Sequence, residues 1–225
     1  MKGLGGIRAV TLDVGGTLID PWPSVGHVYA EVAARHGVRK LSPTLLNRRF
    51  GAAWQRRTRL VQTEAAWAEV VDEVFSGLTA RPPRQTFFPE LYQRFCEPGA
   101  WRVYEDVHPT LRALAARGVR LGVVSNWDER LRPLLGRLDL ADYFQSIVVS
   151  CEAGYAKPSK AIFELAAQKL ETPAAAALHV GDDAELDLQG AGLAGLQALQ
   201  ICRGAAADRG GQIKSLRELV PILRS

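Results

Sequence analysis

The chain has 225 residues, of which 47% are apolar and 23% charged. This is the usage of an ordinary globular protein, with room for one sizeable core and a smaller appended domain, and it excludes a disordered or fibrous chain. The formal net charge of +4 is carried mostly by arginines spread along amphipathic segments, so neither nucleic acid nor a membrane is an expected partner.

No run of about eighteen uncharged apolar residues occurs, and the opening MKGLGGIRAV lacks the apolar stretch and small-residue cleavage site of a signal peptide. The expected location is the cytoplasm. Cys96, Cys151 and Cys202 are odd in number and show no CxxC spacing, which reads as buried thiols and implies neither a disulfide framework nor a zinc site.

In chain order, Ile7 to Leu12 is a short apolar run with β-branched residues that ends in Asp13-Val14-Gly15-Gly16-Thr17, a buried strand delivering a carboxylate to a glycine-rich turn. A helical stretch follows, with candidates over Ser24 to His36, Pro43 to Leu60, Glu64 to Leu78 and Phe87 to Phe95. Ser42-Pro43 reads as an N-cap with Pro at the first helical position. Arg48, Arg49, Arg56, Arg57 and Arg59 fall together here and read as a solvated helix face. Trp22, His27 and Tyr29 serve either to line a pocket or to pin this segment down.

From about Val107 strands alternate with helices. The strand candidates are Val119 to Val124, Ile147 to Ser150, Ala177 to Val180 and Gln197 to Ile201, an alternation that implies a doubly wound parallel sheet. The first strand is separated from the others by about 80 helical residues, too many for a connecting loop. The expected architecture is therefore an α/β, Rossmann-like core from residues 1–19 and 100–225, with an all-helical cap domain from residues 20–99 and the first strand central.

Ligands of an open parallel sheet bind outside the carboxyl ends of its strands. Asp13, Ser125-Asn126 and Gly181-Asp182-Asp183 each follow a strand directly, and Lys157 lies shortly after another. One Asp after a strand is usually a turn or cap residue; four strand ends carrying a carboxylate, a hydroxyl, an ammonium and a carboxylate cluster suit phosphoryl transfer. A carboxylate that attacks phosphorus needs a divalent cation and fixed positive or hydrogen-bonding groups around the anionic oxygens. His179 sits inside a buried strand and reads as a hydrogen-bonded core histidine.

Asp-Val-Gly-Gly-Thr-Leu at 13–18, Val-Val-Ser-Asn at 123–126, Lys157-Pro158 and Val-Gly-Asp-Asp-Ala-Glu-Leu-Asp at 180–187 together resemble the haloacid dehalogenase-like (HAD) hydrolases, in the branch with a helical cap after the first strand. The resemblance implies a hydrolase acting on a phosphorylated small molecule, with Asp13 as nucleophile and Ser125 and the Asn126 backbone binding phosphate. It further implies Lys157 neutralising charge, and Mg²⁺ held by Asp13, the Gly15 carbonyl and Asp182. Asp187 resembles the acidic position that orders metal-bound water or Lys157, a task Asp183 is placed to share.

One position departs from the phosphatase pattern. Gly15 stands where most phosphatases of the family carry a second Asp, the acid to the leaving group and then the base for water. General acid–base groups contribute roughly 10²–10⁴-fold, so Gly15 implies a slow phosphatase or a substrate with a good leaving group. Three other readings bear on the same gap. They are a catalytically weak binding protein on this scaffold, a dehalogenase, which the acidic Asp182-Asp183 disfavours, and a phosphonatase, which needs a cap lysine where this chain has only the solvated-looking Lys40.

Overall fold

Every side chain of Ala9–Leu12 is buried, a condition met by a strand in the interior of a parallel sheet covered on both faces. The computed structural model describes residues 5–57, 62–204 and 212–223. The chain runs through β1 (Ala9–Leu12), β2 (Ile19–Pro21), α1 (Val25–Arg35), α2 (Pro43–Gln55), α3 (Glu64–Phe75), α4 (Phe88–Arg94) and β3 (Trp101–Val103). It continues through α5 (Val107–Ala115), β4 (Arg120–Ser125), α6 (Leu131–Arg137), β5 (Ser146–Val149), α7 (Ser150–Ala153) and α8 (Lys160–Lys169). Last come β6 (Ala177–Gly181), a π-helical turn (Ala184–Gln189), α9 (Gly190–Leu193), β7 (Gln197–Ile201), β8 (Gln212–Ile213) and α10 (Leu219–Ile222). Two compact units result, residues 1–19 with 103–225, and residues 20–102; the second crossing thus lies a few residues beyond the expected 99.

The first unit is the doubly wound α/β domain. Its sheet has the order β5-β4-β1-β6-β7-β8, with every adjacent pair parallel, so β1 is interior as its sequence requires. In this register Leu12 pairs with Val123 and Val180. Asp13 therefore emerges beside the ends of β4 and β6, where Ser125 and Asp182 follow. The two-residue β8 is an addition to the strands expected from sequence.

The second unit is built on helices. Ser24, Ser42 and Thr63 each accept a backbone N–H of the first turn of α1, α2 and α3, the caps that satisfy otherwise orphaned donors. Tyr29 is buried among Phe50, Phe75 and Phe95, with ring centroids 6.1, 5.8 and 6.0 Å away, so it holds the helices together. His27 Nδ1 lies 2.8 Å from Ser24 Oγ, and Trp22 is exposed with the Arg102 guanidinium 4.6 Å from its ring.

Two expectations for this segment are corrected. α2 ends at Gln55, not Leu60, because the chain tightens where Arg57 N–H bonds the Trp54 carbonyl. Arg56 and Arg57 then turn to Glu73 and Glu69 of α3, while Arg49 reaches the carbonyls of Val74 and Ser76. Arg48 is exposed, and Arg59 lies outside the described residues. The unit is also not wholly helical at its root, where β2 and β3 pair and Trp22 N–H bonds the Ala100 carbonyl at 2.8 Å. Among the described residues no helix is long and apolar enough to cross a membrane.

A largely buried ion pair joins distant parts of the α/β unit. Asp106, before α5, accepts two bonds of 2.8 Å from Arg203 and one of 2.7 Å each from Ser215 Oγ and Leu216 N–H. Arg203 also donates to the Thr17 carbonyl and lies 3.9 Å from the Tyr104 ring centre. Burial alone would raise the Asp106 carboxyl, but the bonds from Ser215 and Arg203 prevail and hold it below its usual value. A depressed folded-state pKa stabilises the fold above the unfolded value of about 4 and loses that contribution as pH falls through the folded one. Asp106→Ala should cost about 3–5 kcal/mol at pH 7 in urea unfolding, and the gap from the parent should narrow below about pH 4.

Candidate active site

The loop after β1 is shaped by its glycines. Thr17, Leu18 and Ile19 return their N–H groups to the Val14 carbonyl, closing a tight turn whose positive φ of 69° falls on Gly16. A β-carbon at Gly16 would collide with the Asp182 carboxylate, so glycine is required there by conformation and by space. Gly15 has no positive φ. A β-carbon added at Gly15 would lie 3.4 Å from Trp127 Cζ3, an ordinary contact against the indole.

Asp13 is buried at the end of β1 with its N–H on the Val180 carbonyl at 2.9 Å. Its Oδ1 accepts from Ser125 Oγ at 2.8 Å and from Lys157 Nζ at 2.7 Å. Lys157 is also buried, and its Nζ lies 2.5 Å from Asp187 Oδ1. Burial alone would lower the Lys157 pKa, but the charges of Asp13 and Asp187 more than offset it and raise the group, so the ammonium persists.

Asp187 is held from several sides. It projects from the π-helical turn, in which Leu188 N–H reaches back to the Asp183 carbonyl, a local widening common at functional sites. Its Oδ1 lies 3.1 Å from His179 Nε2, and its Oδ2 accepts the Asp183 N–H at 3.0 Å. Burial would raise this carboxyl; the His179 bond and the Lys157 charge instead take it well below the usual range. A β-carbon at Gly181 would run into the Asp187 side chain, so that residue too is glycine for lack of space.

Asp182 behaves in the opposite way. The protein packed around its carboxyl, followed by the charge of Asp13, pushes it up to about 7, although the residue keeps contact with solvent. Oxygens of Asp13, Asp182 and Asp187 lie within 4.8 Å of one another. At an effective dielectric of 20, each ionised pair at that spacing repels by roughly 3–4 kcal/mol, and one ammonium cannot balance three carboxylates. A hard divalent cation that prefers oxygen ligands fits Asp13 and Asp182, while the oxygens of Asp187 are engaged by Lys157, His179 and the Asp183 N–H.

The expected site residues thus divide. Asp13, Ser125, Lys157, Asp182 and Asp187 converge. The Asn126 side chain is engaged with the backbone of residue 157, accepting Lys157 N–H at 2.8 Å and donating to the Lys157 carbonyl at 3.0 Å. It therefore sets the position of the lysine, leaving its own backbone for any ligand. Asp183 is turned away: its Oδ1 accepts Glu185 N–H at 2.9 Å and Leu186 N–H at 2.8 Å as a helix cap, so only its backbone supports Asp187. Sequence reasoning missed Ser150, whose Oγ accepts Trp127 N–H at 3.0 Å and fixes the loop after β4. It also missed the bond by which His179 enters the site; its position directly before Val180-Gly181-Asp182 was the available signal.

Residues 7–195 match the family of haloacid dehalogenase-like hydrolases. Haloacid dehalogenase-like hydrolase domain-containing protein 3 of Homo sapiens is 30% identical over 213 residues, covering 90% of this chain and 84% of that protein. The phosphoglycolate phosphatase of Yersinia pseudotuberculosis is 29% identical over 199 residues, covering 88% of this chain and 82% of that protein. Among solved structures, the HAD phosphatase of Thermococcus onnurineus has 25% sequence identity and a TM-score of 0.68, covering 96% of this chain and 97% of that chain. With a match of that extent joined to the geometry above, the chain belongs to the haloacid dehalogenase-like hydrolase family.

Proposed function

We propose that the protein is a Mg²⁺-dependent phosphatase acting on a phosphorylated small molecule in the cytoplasm, with residues 20–102 as its cap. The observation that carries this reading is the Asp13 carboxylate, clamped at Oδ1 by Ser125 and Lys157 beside an unbalanced acidic cluster. Phosphatases among the relatives support the substrate class. Cys96, Cys151 and Cys202 are half-buried rather than buried as expected, and the lack of a disulfide among the described residues suits a reducing compartment.

Asp13, Asp182 and the Gly15 carbonyl would hold the cation, which supplies charge neutralisation at the phosphoryl oxygens. With Oδ1 engaged, Oδ2 of Asp13 is the oxygen that attacks phosphorus. The bond from phosphorus to the leaving oxygen breaks, and its electron pair departs on that oxygen. Ser125 Oγ then turns its single proton from Oδ1 to a phosphoryl oxygen, and Lys157 Nζ directs another of its protons there, while the aspartyl-phosphate stands. Water attacks its phosphorus, the bond to Asp13 breaks, and inorganic phosphate leaves with the proton passing to solvent. Gly15 supplies no side chain to protonate the leaving group, so departure is slow unless the leaving oxygen is a weak base.

The competing readings meet particular residues. A phosphonatase needs a lysine shielded from water in the cap, whereas Lys40 is exposed. A metal-free dehalogenase has no use for three carboxylates drawn together. A binding protein without turnover is the reading that Gly15 favours.

Asp13→Asn separates enzyme from binding protein. Hydrolysis of 4-nitrophenyl phosphate should require Mg²⁺ and fall by roughly 10³-fold or more in the variant; turnover that survives the substitution or needs no cation rejects the reading. Gly15→Asp tests the missing acid, since its β-carbon fits against Trp127 without strain. The variant should raise kcat for an alkyl phosphate about 10²-fold more than for 4-nitrophenyl phosphate, whose phenolate leaves unaided. A ratio near one rejects the leaving-group account.

A further inference from the structure

Resting on the phosphatase reading, we infer that His179 is a positioning residue of this site, holding through Asp187 the oxygen that aims Lys157 at the nucleophile. The observation is a continuous buried chain across the sheet. Thr11 and His179 are register partners on β1 and β6, and Thr11 Oγ1 lies 2.9 Å from His179 Nδ1. On the other side of the ring, His179 Nε2 is 3.1 Å from Asp187 Oδ1, the same oxygen that holds Lys157 Nζ at 2.5 Å. Lys157 then completes the path to Asp13 Oδ1.

A carboxylate oxygen only accepts, so Nε2 carries the proton toward Asp187, while Nδ1 faces the Thr11 hydroxyl, a group able to donate or accept. The ring cannot turn freely, because Phe163 packs edge-on against it at 4.9 Å and 77°. Thr11, His179 and Asp187 are all fully buried, so water does not replace a lost bond. Without the His179 donor, Asp187 Oδ1 is left with Lys157 alone while Oδ2 stays on the Asp183 N–H, so the carboxylate is less tightly oriented and the lysine's counter-ion on the side away from Asp13 is less firmly fixed. The effect falls on orientation of the nucleophile, since in the resting site Lys157 lies on Asp13 and reaches phosphoryl oxygens only once the aspartyl-phosphate forms, and among the described residues the hydrogen bonds of His179 go to Thr11 and Asp187.

The test compares His179→Leu with His179→Gln in the full chain, with Mg²⁺ and 4-nitrophenyl phosphate. His179→Leu should lower kcat about 10–100-fold, the usual effect of losing a residue that orients a ligand from behind, with KM within about twofold. His179→Gln keeps an N–H that can reach Asp187 and should recover most of that loss. A second readout does not depend on turnover: ¹⁵N spectra of the parent at pH 7.5, with the His179 signals identified by their absence from the Gln variant, should place the proton on Nε2. Equal losses in both variants, or a proton on Nδ1 alone, overturn the inference. A parent with no activity defeats the phosphatase reading instead, while the ring spectrum still tests the hydrogen-bond assignment on which the positioning role depends.

Discussion

The site depends on an ammonium buried between two carboxylates. Lys157 could not keep its charge in the interior alone, and neither could Asp187, whose only relief from burial is the set of donors arranged around it. Each therefore holds the other in the charged state, and the pair fixes one oxygen of Asp13. The second oxygen of the same carboxylate lies outside that clamp. The arrangement carries a penalty in electrostatic crowding at Asp182, the one acid of the cluster with no cation of its own.

The backbone makes the crowding geometrically feasible. Two carboxylates lie directly over glycines, Asp182 over Gly16 and Asp187 over Gly181, so the acids approach the loop ends more closely than any side chain at those positions would permit. Replacing either glycine by alanine would displace the acid above it before altering any ligand. Gly15 differs from both, since no positive φ and no collision demands glycine there. Its small size is thus not a requirement of the turn.

Much of this is legible in the sequence because parallel strands deliver their following residues to a common edge. Asp13, Ser125, Lys157, Asp182 and Asp187 can all be placed from strand ends and spacing. Asp183 cannot be separated from Asp182 in that way, because adjacent acids at a strand-to-helix junction suit a ligand and a helix cap equally, and only the backbone direction distributes the roles. The place of Asn126 after Ser125 points to ligand binding, while its side chain is occupied by hydrogen bonds to residue 157. His179 reads as core because it is core; its bond to Asp187 arises from a π-helical turn that periodicity does not reveal. β2, β3 and β8 are two or three residues long, too short for any alternation to register.

The Asp106–Arg203 junction bears on how the inserted unit is joined to the rest. It grips the chain at Thr17, just before the insertion departs, and at Asp106, just after it returns. Tyr104 N–H on the Leu18 carbonyl closes the same gap. Because both ends of the detour are already tied within the α/β unit, the conformational entropy of closing the loop is borne there and depends only weakly on the length of what is inserted. Helical segments of different size and composition can therefore be accommodated between these anchors without altering the strand that carries Asp13, which makes the junction a natural splice point.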